Sequence, residues 1–479
     1  MKRFICYMIF ILSSGCSSQV SVADYGTFDP YTYPEQINTE EVTATGNIFY
    51  VDPAAGSMDN DGSSDHPWRT LQEVIDTGLI ETREYKDHPY HEGGELVIKN
   101  AGAPVKAGDT IVLRDGFHGK FELTDFFNEN YITVMAQKGH QPRVSLIHLR
   151  SASRWKISGL VVSPEFEAEY ETHTLVWLET HNWHGPVENI TVDSCTAYSV
   201  QDTSDWTMDD WNNLSCNGVV AGGRNITIRG NYFKNVNFGI SVSGNFALVK
   251  GNTVENFAGD GMRGIGNDMF FEYNTVKNCY AVNANHDDGF QSWSLRDSGQ
   301  PPRERIVLRG NLIINNVDPD QPFKGTLQGI GCFDGPFINW VIENNVIIVD
   351  HWHGISLYEA HNCRIVNNTV VDINGVTPGP SWIMITDHKD GTSSSGCIIR
   401  NNIANSINAG KGVTEDHNYA AGYDQYSELF VSPADFNFHL KAGAPVIDSG
   451  SADLVPQYDM DLNPRIHGEA ADLGAFEYN

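Results

Sequence analysis

The chain has 479 residues, with 61 Asp and Glu against 31 Lys and Arg, a net charge of -30 and 45 glycines. This acidity argues against a nucleic-acid partner, whose phosphates it would repel, and it means that an anionic substrate must be met by local cations or a metal. The charges are dispersed rather than gathered in a tail, and an aromatic content of 11% with abundant glycine fits a turn-rich β protein with an aromatic-lined cleft.

At the start, Lys2-Arg3, an apolar stretch over residues 4–12 and then Ser13-Ser14-Gly15-Cys16 read as an export segment. The apolar stretch is too short to span a bilayer as a permanent helix. Leu12-Ser13-Ser14-Gly15-Cys16 resembles a bacterial lipobox. That resemblance implies removal of residues 1–15, lipidation of Cys16 and, with Ser17 next, anchoring at the outer membrane, facing the periplasm or the outside. Residues 16–46 read as a polar tether, and residues 47–479 as one long domain.

Within that domain one phrase recurs. Alternating apolar residues lead into Asn231, Asn252, Asn274, Asn311, Asn345, Asn368 and Asn402, at spacings of 21, 22, 37, 34, 23 and 34 residues. A short unit with occasional insertions is the signature of a solenoid. Alternation over four to six positions argues strands, and nothing comparable argues amphipathic helices. Short strands in coils of roughly 22 residues give an all-β, single-stranded right-handed parallel β-helix. An antiparallel sandwich does not repeat one phrase at one period. Each recurrent Asn is expected in a turn, where its side chain tolerates left-handed backbone and bonds its neighbours along the stack.

Removing Cys6 and Cys16 from eight cysteines leaves six. Cys363 and Cys397 open their repeats at the same phase, so they are expected to stack on adjacent coils, either as a disulfide or as buried thiols. No CxxC spacing suggests zinc.

The ends of the repeat carry a resemblance. Phe49-Tyr50-Val51-Asp52-Pro53 followed by Pro67-Trp68-Arg69-Thr70-Leu71, the phrase Gly108-Asp109-Thr110-Ile111-Val112, and the closing Asp472-Leu473-Gly474-Ala475-Phe476-Glu477 are similar to the opening, first coils and last segment of exported proteins of the pectate-lyase superfamily. The resemblance implies a short N-terminal helix capping the core, and it speaks for architecture rather than chemistry.

Stacking the coils on a shared glycine aligns Asn217-Gly218, Phe238-Gly239, Asp260-Gly261, Asp288-Gly289, Gln328-Gly329 and His353-Gly354. Two positions after the glycine come Val220, Ser241, Arg263, Gln291, Gly331 and Ser356, and a later column holds Trp293, Phe333 and Tyr358. With adjacent strands about 4.8 Å apart, Asp260, Asp287, Asp288 and Arg263 meet in one patch. Carboxylates crowded in this way raise one another's pKa unless a cation intervenes, and hard oxygen donors suit Ca²⁺. The stretch from Asp260 to Trp293 resembles the calcium-dependent lyase branch of the superfamily. By that resemblance Asp260, Asp287, Asp288 and Gln291 are the metal ligands, with Gln291 standing where the branch has a fourth Asp. The branch's lysine base is replaced by Gly331, and the nearest lysine is Lys324.

β-Elimination explains the residue types. The C5 proton of a uronate becomes removable when the neighbouring carboxylate is neutralised by a cation, after which a base takes it and the C4 oxygen leaves. Lys324, Arg263, His286 and His353 are the candidates for base or acid. Trp293, Tyr358, His388 and Lys389 are candidates to line sugar subsites, while His351 and His353 lack a third ligand for zinc. The reading is therefore a lipid-anchored, monomeric enzyme that acts on an acidic polysaccharide as a lyase. The alternatives are a glycoside hydrolase using Asp260, Asp287 and Asp288, a uronate C5-epimerase, and a non-catalytic glycan binder.

Overall fold

The structure, a computed structural model, describes residues 28–39, 45–294, 301–372, 374–375 and 377–479. Cys16, the export segment and most of the tether lie outside the described residues. The repeating phrase folds as expected, into a right-handed parallel β-helix whose coils present three faces. The first face runs through Thr174–Glu179, Asn217–Ala221, Ile240–Val242, Met262–Gly264, Asp288–Trp293, Gln328–Asp334, His353–Tyr358 and Trp382–Thr386, each parallel to the next. The second carries the apolar phrase itself, as in Arg224–Arg229, Ala247–Lys250, Met269–Glu272 and Ile306–Arg309. The third includes Thr253–Phe257, Thr275–Cys279, Leu312–Ile314 and Val346–Ile348.

Between the second and third faces the recurrent asparagines form an interior ladder. Asn274 donates from Nδ2 to Asn311 Oδ1 at 3.0 Å, and Asn311 donates in the same way to Asn345 Oδ1 at 2.9 Å. Each Nδ2 also reaches a backbone carbonyl of a neighbouring coil, as Asn311 does to Phe271 at 2.8 Å. The turn expectation needs one correction. The left-handed backbone belongs to the residue before each ladder asparagine, with φ of 62° at Gly310, 56° at Asn344 and 53° at Asn367. Glycine or asparagine tolerates that conformation, which leaves the next asparagine free to point inward.

A helix at Leu71–Asp76, capped by Thr70, closes the N-terminal end, burying Leu71 and Val74 beside Trp68. The C-terminal residues do more than close the other end. Leu429, Phe430, Phe438, Val446, Leu473 and Phe476 pack on the outer side of the third face, over Ile314, Val346, Ile348 and Val371. Strands covered on both sides become continuously apolar, and Val346–Ile348 is buried throughout. Residues 28–39, read as part of the tether, lie against the second face, where Ile37 is buried with Leu248, Phe270 and Val307. Cys363 and Cys397 do stack on adjacent coils, as buried free thiols.

Candidate functional site

The register of the first face reproduces the expected column. Val220, Ser241, Arg263, Gln291, Gly331 and Ser356 stand one above another on the outward side, and Trp177 extends the column by one rung. Glycine at the corner two positions earlier turns the chain inward. A Cβ at Gly289 would lie 2.4 Å from Ile313 Cγ2 in the core, so the preceding residue points out. Coils therefore tie an outward residue to the one three positions on. Arg263 Nε donates to Asp260 Oδ2 at 2.5 Å, Gln291 Nε2 donates to Asp288 Oδ2 at 3.0 Å, and His353 Nδ1 lies 2.8 Å from Ser356 Oγ.

The three acids gather but take different roles. Asp260 is spent on protein donors: its second oxygen accepts the Asp288 backbone N–H at 3.0 Å. Asp287 turns behind the face, where Oδ2 accepts from the Cys279 thiol at 3.4 Å. Asp288 is fully buried, and its Oδ1 has no hydrogen-bond donor among the described residues; the same holds for Asp287 Oδ1 and Gln328 Oε1. Burial pushes both Asp287 and Asp288 up to about 7, with repulsion from Asp260 adding to it. Asp260 is also raised by burial, against the pull of Arg263.

Gly331 acquires a physical reason. A Cβ there would begin 2.0 Å from Asp288 Oδ1 and 3.1 Å from Gln328 Oε1. Where the resembling branch carries lysine, the missing side chain leaves a small hollow that Asp288 Oδ1 and Gln328 Oε1 fill, two oxygens with no donor among the described residues. Arg263 stands two rungs away, beyond Gln291 in the same column, its guanidinium 3.9 Å from the Phe238 ring centre and 5.8 Å from that of Trp293. His286 is exposed on the other side, Nδ1 3.4 Å from Asp288 Oδ2, and that contact raises its pKa.

Several expectations shift. Lys324 is exposed and donates to the Pro319 carbonyl of its own loop at 2.5 Å. The expected calcium set does not converge: Asp260 is saturated by Arg263 and a backbone amide, Asp287 faces Cys279, and Gln291 turns its amide nitrogen to Asp288. These residues do not fit the cation as a four-ligand cage. His353 is held low, at about 4, chiefly by burial, and is therefore neutral at physiological pH. It packs between Phe333 and Trp382, whose Nε1 donates to Ser356 Oγ at 3.0 Å. Tyr358 meets Phe333 edge-on at 5.3 Å, while Trp293 pairs with Asp334 because a bulge displaces the register by one. Lys389 and His388 both approach Asp334, at 3.2 and 3.6 Å.

Sequence reasoning assigned no role to Gln328, Phe238 or Trp382. Gln328 and Phe238 already stood in the aligned column beside glycine, and that position was their only signal.

No family model matches the chain, and no curated protein matches it. Among solved structures it is similar to a pectate lyase, Pel9A, at 16% identity over 91% of this chain and 97% of that one, with a TM-score of 0.45. It is also similar to the mannuronan C-5 epimerase AlgE6 A-module of Azotobacter vinelandii, at 13% identity over 65% and 91%, TM-score 0.37. A third likeness is to the GH136 lacto-N-biosidase of Eubacterium ramulus, at 12% identity over 78% and 68%, TM-score 0.36. Likenesses of this extent leave the activity to be argued from the residues.

Proposed function

We propose that the protein is an enzyme that cleaves an acidic, uronate-containing polysaccharide by β-elimination on its first face. The observation that carries this reading is the buried Asp288 carboxylate, one oxygen of which has no donor among the described residues and lies at Gly331, with Arg263 two rungs along the same column. Arg263 neutralises the substrate carboxylate, which makes the C5 proton removable. Asp288 takes that proton, the C4–C5 double bond forms as the C4–O bond breaks, and His286 returns a proton to the departing oxygen. Trp293 and Tyr358 offer faces on which sugar rings stack. The reaction is written without calcium, because Asp260 is engaged through both oxygens and Asp287 and Gln291 direct an oxygen and an amide nitrogen to Cys279 and Asp288.

A hydrolase needs two carboxyl groups facing one sugar from opposite sides. Asp288 alone of the three acids is turned to the hollow with an oxygen to spare, which favours elimination. The raised proton affinity of Asp288 is the one feature that would also suit a hydrolase's general acid. Assay of a panel of uronate polymers separates the readings. Elimination creates an unsaturated uronate with an ultraviolet band, hydrolysis gives new reducing ends without it, and epimerisation gives neither. We expect the band, undiminished by a chelator, lost by about 100-fold or more in Asp288→Asn and unchanged in Lys324→Ala. Activity that vanishes on chelation and returns with Ca²⁺ would overturn the metal-free scheme. Lipid anchoring at Cys16 on the outer membrane, as a monomer, completes the reading; Cys16→Ser should move the protein from the membrane to the soluble fraction.

A further inference from the structure

Far along the solenoid from the Gly331 hollow, three side chains from separate segments meet near the N-terminal coils. His88 stands in the connection between the strands Thr82–Tyr85 and Leu96–Lys99, Asp125 lies within Phe121–Ala136, and His184 follows Thr174–Glu179. One ligand atom from each lies within 4.8 Å of the others. The Asp125 side chain is only 10% exposed; its Oδ2 lies 2.8 Å from His184 Nδ1, and its Oδ1 is buried with no donor among the described residues. His88 Nδ1 lies 3.0 Å from the Trp183 carbonyl. That contact fixes the proton on Nδ1 and leaves Nε2 with its lone pair, the arrangement that orients metal-binding histidines. The His88 and His184 rings face each other edge-on, 5.4 Å apart.

We propose that His88, Asp125 and His184 bind a late first-row divalent cation of the zinc class, through two imidazole nitrogens and one carboxylate oxygen, with a fourth position left to water. A hydrogen bond between His184 and Asp125 accounts for one carboxylate oxygen only. The cation accounts for the second, for the orientation of His88, and for why two histidines from distant loops point at one buried acid. Its effect is mechanical: it fastens the hairpin that carries His88 to the first coils, beside Tyr85 and Phe127, whose rings meet edge-on at 4.8 Å. Nitrogen donors also distinguish this site from any all-oxygen site on the first face.

The untagged full chain, stripped with a chelator, is titrated with Zn²⁺ against a chromophoric competitor, and in parallel with Co²⁺ followed by visible absorption. One equivalent is expected, with cobalt bands of four-coordinate intensity. His88 is exposed, so His88→Ala should melt as the wild type does without cation, yet bind at least about tenfold more weakly and lose the cobalt bands. His184→Ala should do the same, while Asp288→Asn, altered on the first face, keeps the equivalent. Added Zn²⁺ should raise the melting temperature of the wild type and not of His88→Ala. Absence of a bound equivalent, or one retained by both histidine variants, would overturn the site and leave the His184–Asp125 hydrogen bond alone.

Discussion

Asp288 is a carboxylate whose chemistry is set by what surrounds it rather than by its neighbours in sequence. With its proton affinity raised to about 7, it is charged only above neutrality, and activity should climb as pH passes through that value. The same shift links to stability. An unfolded aspartate titrates near 4, so between about pH 4 and about pH 7 the folded chain holds protons at Asp287 and Asp288 that the unfolded chain has released; stability falls as pH rises through this window. His118 and His353 act oppositely: kept neutral in the fold, at about 4, they lower stability as pH drops below the ordinary histidine value. The difference between Asp288→Asn and wild type isolates the acid. From about pH 5 to about pH 8 the variant's melting temperature should gain on that of the wild type, because it is spared a buried charge. A constant difference across that range would contradict the assignment. The sequence made the crowding of Asp260, Asp287 and Asp288 legible, and with it the raised pKa. It could not reveal that Arg263 claims Asp260 or that Asp287 faces Cys279, because the corner at each Asp-Gly breaks the in-out alternation on which direction depends.

At the level of the strand and turn, register was readable because two markers repeat: the corner glycine of the first face and the ladder asparagine between the second and third faces. Both are places where a different side chain meets a wall. At Gly354 a Cβ would stand 2.3 Å from Val370, and at Gly331 it would strike the Asp288 carboxylate. The loops were not readable in this way. Lys324, nominated as base because it was the nearest lysine in sequence, sits on an insertion whose own carbonyl holds it. The ladder yields a stability prediction. Asn311 is 2% exposed, accepts from Asn274 and donates to Asn345 and to the Phe271 carbonyl. Asn311→Ala takes the acceptor from the Asn274 backbone and side-chain N–H groups and a donor from the Phe271 carbonyl, while Asn345 Oδ1 keeps the backbone N–H of residue 311; the cost is about 1–3 kcal/mol for each buried group left unsatisfied. Chemical denaturation should show a loss of a few kcal/mol without any change in the mutant's sheet signature. A loss below about 0.5 kcal/mol, typical of a surface substitution, would mean that the ladder is decoration.

Across the whole molecule, the solenoid turns one outward column into a track. Glu122, His148, Trp177, Val220, Ser241, Arg263, Gln291, Gly331 and Ser356 follow one another without a break in register. At about 4.8 Å per rung, Trp177 stands roughly 24 Å from the hollow at Gly331, a span of several sugars. His148 lies flat against Trp177, with ring centres 4.4 Å apart, and is held by Glu179 at 2.8 Å; Arg150 meets the same carboxylate at 2.9 Å. His148, Arg150 and Trp177 border an open hollow of about 620 Å³ that also takes in His173 and Asn217. An indole 37% exposed on a polar track is a platform for a sugar face, and the nearby Arg150 suits a uronate carboxylate. Binding so far from the bond that breaks helps only a substrate long enough to reach it. Trp177→Ala should therefore raise KM for long polymers by about tenfold while leaving kcat/KM for the shortest cleavable oligomers unchanged. Equal losses on long and short substrates would confine the working site to the rungs around Gly331 and make Trp177 a part of the scaffold.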